Sequence, residues 1–97
     1  MDTVIGLTLF NKKLDTLPDI SKYTNLQYFI CSNNKIICLD NLPPTLKVLK
    51  CCGNKIEMLD NLPHTLKVLN CSENEVSSLN NLPPTLELLK CIYNIIK

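Results

Sequence analysis

The stretch Leu42-Pro43-Pro44-Thr45-Leu46-Lys47-Val48-Leu49 returns as Leu62-Pro63-His64-Thr65-Leu66-Lys67-Val68-Leu69, seven identities in eight at an offset of twenty. A third copy, Leu82-Pro83-Pro84-Thr85-Leu86-Glu87-Leu88-Leu89, follows at the same offset. A fixed period near twenty residues marks a solenoid, in which each unit buries its apolar side only against its neighbours. Working outward, the unit reads Leu46, Leu49, Cys51, Asn54, Ile56, Leu59, then Leu66, Leu69, Cys71, Asn74, Val76, Leu79. Upstream it reads Leu26, Phe29, Cys31, Asn34, Ile36, Leu39, and downstream Leu86, Leu89, Cys91, Asn94, Ile96. The first unit is degenerate: Val4, Leu7 and Leu9 precede Lys12, which stands where asparagine is expected, and the second unit starts twenty-two residues later. One domain of 97 residues results, with repeats at about 4–25, 26–45, 46–65, 66–85 and 86–97.

Within a unit, Leu49 and Cys51 alternate with Val48, Lys50 and Cys52, the period-two pattern of a short half-buried strand. Equivalent strands stacked about 4.8 Å apart make a parallel sheet, and parallel strands need a return connection. Twenty residues leave no room for a full return helix. Leu62-Pro63-His64-Thr65 favours extended backbone instead, because proline cannot continue a helix and restricts the residue before it. The expected fold is an α/β-type solenoid that is predominantly β, with five parallel strands on a concave face and an extended or 3₁₀ convex side. Asn34, Asn54, Asn74 and Asn94 form a second column.

These residues resemble leucine-rich repeats over essentially the whole chain. The twenty-residue spacing with Leu-Pro-Pro-x-Leu is similar to the short repeats of bacterial type III effectors. The wording Asn-Leu-Pro-Pro-Thr-Leu-Lys-Val-Leu-x-Cys resembles the leucine-rich repeat proteins of mimivirus-like giant viruses more closely. The resemblance implies a protein-binding concave face, an asparagine ladder within the solenoid, and residence inside an infected host cell, in the cytoplasm or the virion.

Composition narrows the function. A net charge of +1 gives no electrostatic case for nucleic acid. Two glycines leave no Gly-rich phosphate loop, and no apolar run approaches the length of a membrane span. The start Met1-Asp2-Thr3-Val4-Ile5-Gly6 lacks the basic and apolar segments of a secretory signal, so secretion is not expected. Cys31, Cys51, Cys71 and Cys91 recur at one apolar position, which reads as reduced cysteine used as a small core residue. A column lies along a line, whereas zinc requires ligands converging on a point, so no metal site is expected. Cys52 should face the concave side, but the one histidine, His64, lies in a convex segment, and a nucleophile without a base is not a catalytic site. No catalytic residue and no cofactor are expected. Asn70-Cys71-Ser72 matches a glycosylation sequon but falls on a strand, and is set aside.

The outward positions fall into columns: Gly6, Tyr28, Val48, Val68, Leu88; then Thr8, Ile30, Lys50, Asn70, Lys90; then Phe10, Ser32, Cys52, Ser72, Ile92. An apolar stripe flanked by lysines and amides is how an interaction surface looks. The residues expected to hold a protein partner are Tyr28, Ile30, Val48, Lys50, Val68, Asn70, Leu88 and Lys90. No polar cap follows the last unit, which leaves Leu86, Leu89, Cys91, Ile92, Tyr93, Ile95 and Ile96 for self-association in an isologous homodimer. A fragment shorn of its cap would look the same. The expected function is a non-enzymatic protein-interaction module; the alternative is a structural or assembly protein whose main activity is homo-oligomerisation.

Overall fold

In a computed structural model the chain winds into a parallel β-solenoid. The structure describes residues 3–96; Met1, Asp2 and Lys97, which belong to the stretches read for a leader and for the last repeat, lie outside the described residues. Five three-residue strands, β1 (Gly6–Thr8), β2 (Tyr28–Ile30), β3 (Val48–Lys50), β4 (Val68–Asn70) and β5 (Leu88–Lys90), form one sheet in sequence order. Every neighbouring pair is parallel. Gly6 aligns with Tyr28, so the first turn is two residues longer than the rest; from there Tyr28, Val48, Val68 and Leu88 stack in register.

Each turn returns without a helix among the described residues. The two breaks that bend the backbone recur with the period. One is a left-handed residue after the strand: Asn33, Gly53, Glu73 and Tyr93, with φ between 57° and 68°. The other is Asn41, Asn61 and Asn81, with φ of 61–64°, where asparagine is the non-glycine residue best suited to that region. A β-turn follows, closed by the amides of Leu46, Leu66 and Leu86 donating to the carbonyls of Pro43, Pro63 and Pro83 at 3.2 Å. Proline supplies the fixed φ of such a turn and has no N–H to leave unpaired.

Between turns the backbone pairs in both directions. On the strand side, the Cys51 and Gly53 amides donate forward to the Asn70 and Ser72 carbonyls at 2.9 and 3.1 Å. Past the bend, the Lys55 amide donates back to the Ile36 carbonyl at 2.9 Å. Inside the coil lies a single apolar core in columns: Leu26, Leu46, Leu66; Phe29, Leu49, Leu69; Cys31, Cys51, Cys71; Ile36, Ile56, Val76, all fully buried. Ile20 and Leu62 join it from outside the consensus columns. Each buried leucine contributes about 1.5–3 kcal/mol of transfer free energy.

Two side-chain ladders tie the turns. Nδ2 of Asn54 donates to the carbonyls of Cys51 (3.0 Å), Cys31 (3.1 Å) and Cys52 (3.3 Å), while its Oδ1 accepts the Ile36 amide at 3.0 Å. Asn74 repeats the pattern one turn on, accepting from Ile56 and donating to Cys71, Cys51 and Ser72. Each asparagine reaches backward, so Asn34 serves turn one, accepting from Lys12 and Leu14 and donating to Leu9. The second ladder is threonine: the hydroxyls of Thr45, Thr65 and Thr85 donate to the carbonyls of Leu26, Leu46 and Leu66 at 2.6–2.7 Å.

Candidate functional site

Because the strands are in register, the sequence's outward columns become rows of neighbours on the open face of the sheet. In the first column Tyr28 and Leu88 are 47% and 49% exposed, with Val48 and Val68 half-buried between them. In the second, Ile30 and Asn70 are half-buried, and Lys50 and Lys90 are exposed. Lys50, Val68, Leu69, Asn70, Leu88 and Lys90 line a shallow hollow of about 160 Å³ across β3, β4 and β5. So six of the eight residues expected to hold a partner lie in or beside one depression, while Tyr28 and Ile30 lie toward turn one.

The Asn70 amide has a fixed orientation. Its Oδ1 accepts the Ser72 amide at 3.3 Å, which leaves the two Nδ2 hydrogens without a partner among the described residues. Among the described residues Lys50 and Lys90 have no carboxylate within salt-bridge distance; the ion pair described joins Lys67 to Glu87 at 3.3 Å, both exposed, at the entry to β4 and β5. None of the five strands carries an acidic residue.

The middle of the third outward column is less exposed than alternation predicts: Ser32 and Ser72 are buried and Cys52 is half-buried. The strands end at Ile30, Lys50 and Asn70, and the chain begins its bend there, so the period-two alternation stops before this position. The Ser32 hydroxyl donates to the Lys50 carbonyl at 3.3 Å, and Cys52 Sγ lies 3.7 Å from the Asn70 carbonyl it donates to. Phe10 and Ile92, at the two ends of that column, are exposed.

All six cysteines are free thiols. Burial pushes the Cys31 thiol up to about 12 and the Cys71 thiol up to about 11, and raises Cys51 as well, with neighbouring thiols adding to it. Among the described residues no group of three or more His, Cys, Asp or Glu side chains is placed to hold a metal. A larger hollow, about 460 Å³, lies between turns one and two, lined by Leu17 to Ser21 with Asp40 and Asn41. Hydrogen bonds from Ser21 hold the Asp19 carboxyl below its usual range, and no cationic or nucleophilic thiol side chain joins it in that lining.

The last turn is open to solvent. Leu86, Leu89 and Cys91 are half-buried where their counterparts in turns two to four are fully buried. Ile92 and Tyr93 are 65% and 76% exposed, and Ile95 and Ile96 are exposed as well. The Cys91 and Tyr93 amides, whose counterparts donate to a following turn, have no acceptor among the described residues.

Two features of the site escape a reading by periodicity. The orientation of the Asn70 amide depends on a local side-chain bond to Ser72, for which the sequon-like Asn70-Cys71-Ser72 gives only the right residue types. The hollow depends on the contrast between long Lys50 and Lys90 and shorter Val68 and Asn70, a difference of side-chain length that the columns do contain. The class that the geometry defines is a helix-free parallel β-solenoid with an open, acid-free sheet face. Comparison of the chain with protein-family models, with curated proteins and with solved structures finds no match.

Proposed function

We propose that the protein is a non-enzymatic interaction module that binds another protein on the open face of its sheet. The observation that carries this reading is the row of apolar side chains held in register from Tyr28 to Leu88, flanked by the exposed heads of Lys50 and Lys90. Leaving such a row in water forgoes about 25 cal/mol for each Å² that a partner would cover. The resemblance to leucine-rich repeats of giant-virus type supports the same reading, and with it a role inside an infected cell. Affinity capture from host-cell extract by the wild-type chain and by Val68→Glu tests it. Val68 faces outward, so the variant folds, and circular dichroism checks that it does. Partners lost with Val68→Glu support the face; an identical captured set, or none with either chain, overturns it.

A second reading, homo-oligomerisation through the last described turn, is supported by the exposure of Ile92, Tyr93, Ile95 and Ile96 beside the Cys91 and Tyr93 amides, which have no acceptor among the described residues. An apolar edge of this kind associates with another copy through an isologous contact. Light scattering across a concentration series reads it: a dimer in the wild type that Ile92→Glu returns to folded monomer supports it. A monomer at every concentration refutes it.

A further inference from the structure

Resting on the proposed open-face interaction, we infer that the partner presents an acidic side chain next to apolar ones, and that the carboxylate sits between Lys50 and Lys90 over Asn70. Three observations converge. The register places Lys50, Asn70 and Lys90 side by side on adjacent strands, so the two lysine backbones stand roughly 10 Å apart, two ladder spacings. Their flexible side chains can close on a common point above the shorter asparagine. The free hydrogen-bonding capacity at that point is chiefly donor capacity: two ammonium groups without an acidic partner among the described residues, and the Nδ2 hydrogens of an amide whose oxygen already accepts the Ser72 amide with one lone pair. The site therefore selects an anion, through charge-assisted hydrogen bonds.

The same hollow is floored by Val68 and Leu88, which rules its occupant toward something with apolar surface adjoining the charge. A protein segment with Asp or Glu beside a leucine-like residue has both. A nucleic-acid backbone has the anion without the apolar neighbour, and it would require a broad basic face, whereas the second column offers only two lysines and the chain carries a net charge of +1. The specificity is local to turns three to five: the equivalent positions on β1 and β2 are Thr8 and Ile30, and no lysine stands there. The partner's acidic residue is thus positioned toward the C-terminal half of the sheet, with its apolar residues running along Val48 and Val68.

The test is selection of random displayed peptides on the full chain, with Val68→Glu as counter-target, followed by affinity measurement on the selected peptides. The expected result is enrichment of peptides carrying Asp or Glu at one fixed position beside apolar residues. Lys50→Gln and Lys90→Gln, both at exposed positions, should each weaken such a peptide about two- to five-fold, the range for a solvent-accessible ion pair. Replacing the peptide's acidic residue by its amide should have the same effect, and raising salt from about 0.1 M to about 1 M should erase the difference between wild type and lysine variants. Peptides enriched against Val68→Glu but lacking an acidic position would overturn the acidic occupant while leaving the open-face reading intact. No enrichment over Val68→Glu would remove both. A single-stranded oligonucleotide that displaces the selected peptides at equal or lower concentration would transfer the site to phosphate and overturn the peptide assignment.

Discussion

Replacing Asn54 by alanine tests whether the asparagine ladder holds the turns as described. Asn54 has four bonds, but they are not equally exposed to loss. The Cys31 carbonyl that it serves is also served by Asn34 at 3.0 Å, and the Cys51 carbonyl by Asn74 at 3.0 Å. Those two oxygens each keep a donor when Asn54 is gone. The Ile36 amide does not: its acceptor is Asn54 Oδ1, and Ile36 is fully buried. An orphaned buried amide costs about 1–3 kcal/mol, and the lost donor bonds cost about 1 kcal/mol more in total. The expected loss is therefore about 3 kcal/mol, from a chain of this length whose whole stability is about 5–15 kcal/mol.

Urea denaturation followed by far-ultraviolet circular dichroism measures it. With a slope of about 1–3 kcal/mol per molar, the midpoint should fall by about 1–3 M. The control is Asn94→Ala. Asn94 makes the same set of bonds, to the Val76 amide and to the Cys71, Cys91 and Ile92 carbonyls, but it is half-buried at the open turn. Val76 is as buried as Ile36, but truncating the half-buried Asn94 side chain opens a path by which water reaches the Val76 amide, so the loss should be nearer about 1 kcal/mol. Equal losses at Asn54 and Asn94, or a loss at Asn54 below about 1 kcal/mol, would refute the argument that the orphaned Ile36 amide sets the cost.

Four further outcomes are expected. Thr65→Val, which keeps shape and removes the hydroxyl bonded to the Leu46 and Pro44 carbonyls, should lower stability by about 1 kcal/mol in the same urea assay. Glu73→Gly should raise stability by up to about 1 kcal/mol by relieving a left-handed residue; the reverse exchange, Gly53→Ala, should lower it, because φ is 68° and the new Cβ meets Asn33 Oδ1. Thiol labelling of the folded chain should reach Cys38 first and Cys52 more slowly, with Cys31, Cys51 and Cys71 labelled only on unfolding. Since burial raises those three thiols above the ordinary 9.0, to about 12 for Cys31, the unfolded chain ionises first; stability should then hold below about pH 9 and fall as pH climbs toward about 12, read as a decreasing urea midpoint.

The register was legible because a solenoid's period is its register: the twenty-residue offset of Leu49 and Leu69 is the pairing of β3 with β4, and the longer first unit is the pairing of Gly6 with Tyr28. The buried columns and the column of asparagines followed from the same arithmetic, while the ladder of bonds that the asparagines make was an expectation from the resemblance to leucine-rich repeats. What the period cannot convey is where a strand stops. Alternation carried past Lys50 and Asn70 predicts exposure at Ser32, Cys52 and Ser72, whereas the backbone turns there and leaves the serines buried and Cys52 half-buried. The bend that does this leaves little trace in composition, since its left-handed residue is Asn33, Gly53, Glu73 and Tyr93 in successive turns. The threonine ladder was visible as a repeat yet silent as to role: Thr45 and Thr65 follow proline or histidine in a turn, and only their distance to the previous turn's carbonyls shows that they join the layers.

That distinction between layers and face governs where function can reside. Turns three and four keep Leu46 and Leu66, Leu49 and Leu69, Cys51 and Cys71, Asn54 and Asn74, all of them buried between neighbours above and below. A change at any of these disturbs three turns at once, because each side chain packs or bonds across two interfaces. Within the buried columns the two turns exchange only Ile56 for Val76, whereas Lys50 and Asn70, Gly53 and Glu73, Lys55 and Glu75, and Met58 and Ser78 are among the exchanges outside them. Of these, only Lys50 and Asn70 belong to the sheet face, where the ladder holds each residue about 4.8 Å from its counterpart on the next turn. A repeat with one internal sequence can thus carry a face whose chemistry is set turn by turn. The alternation of lysine, asparagine and lysine across β3, β4 and β5 is such a setting, and it makes Asn70, the one short residue of the three, the position where Asn70→Leu should weaken acceptance of a carboxylate with both lysines kept, by filling the gap and removing the Nδ2 donors.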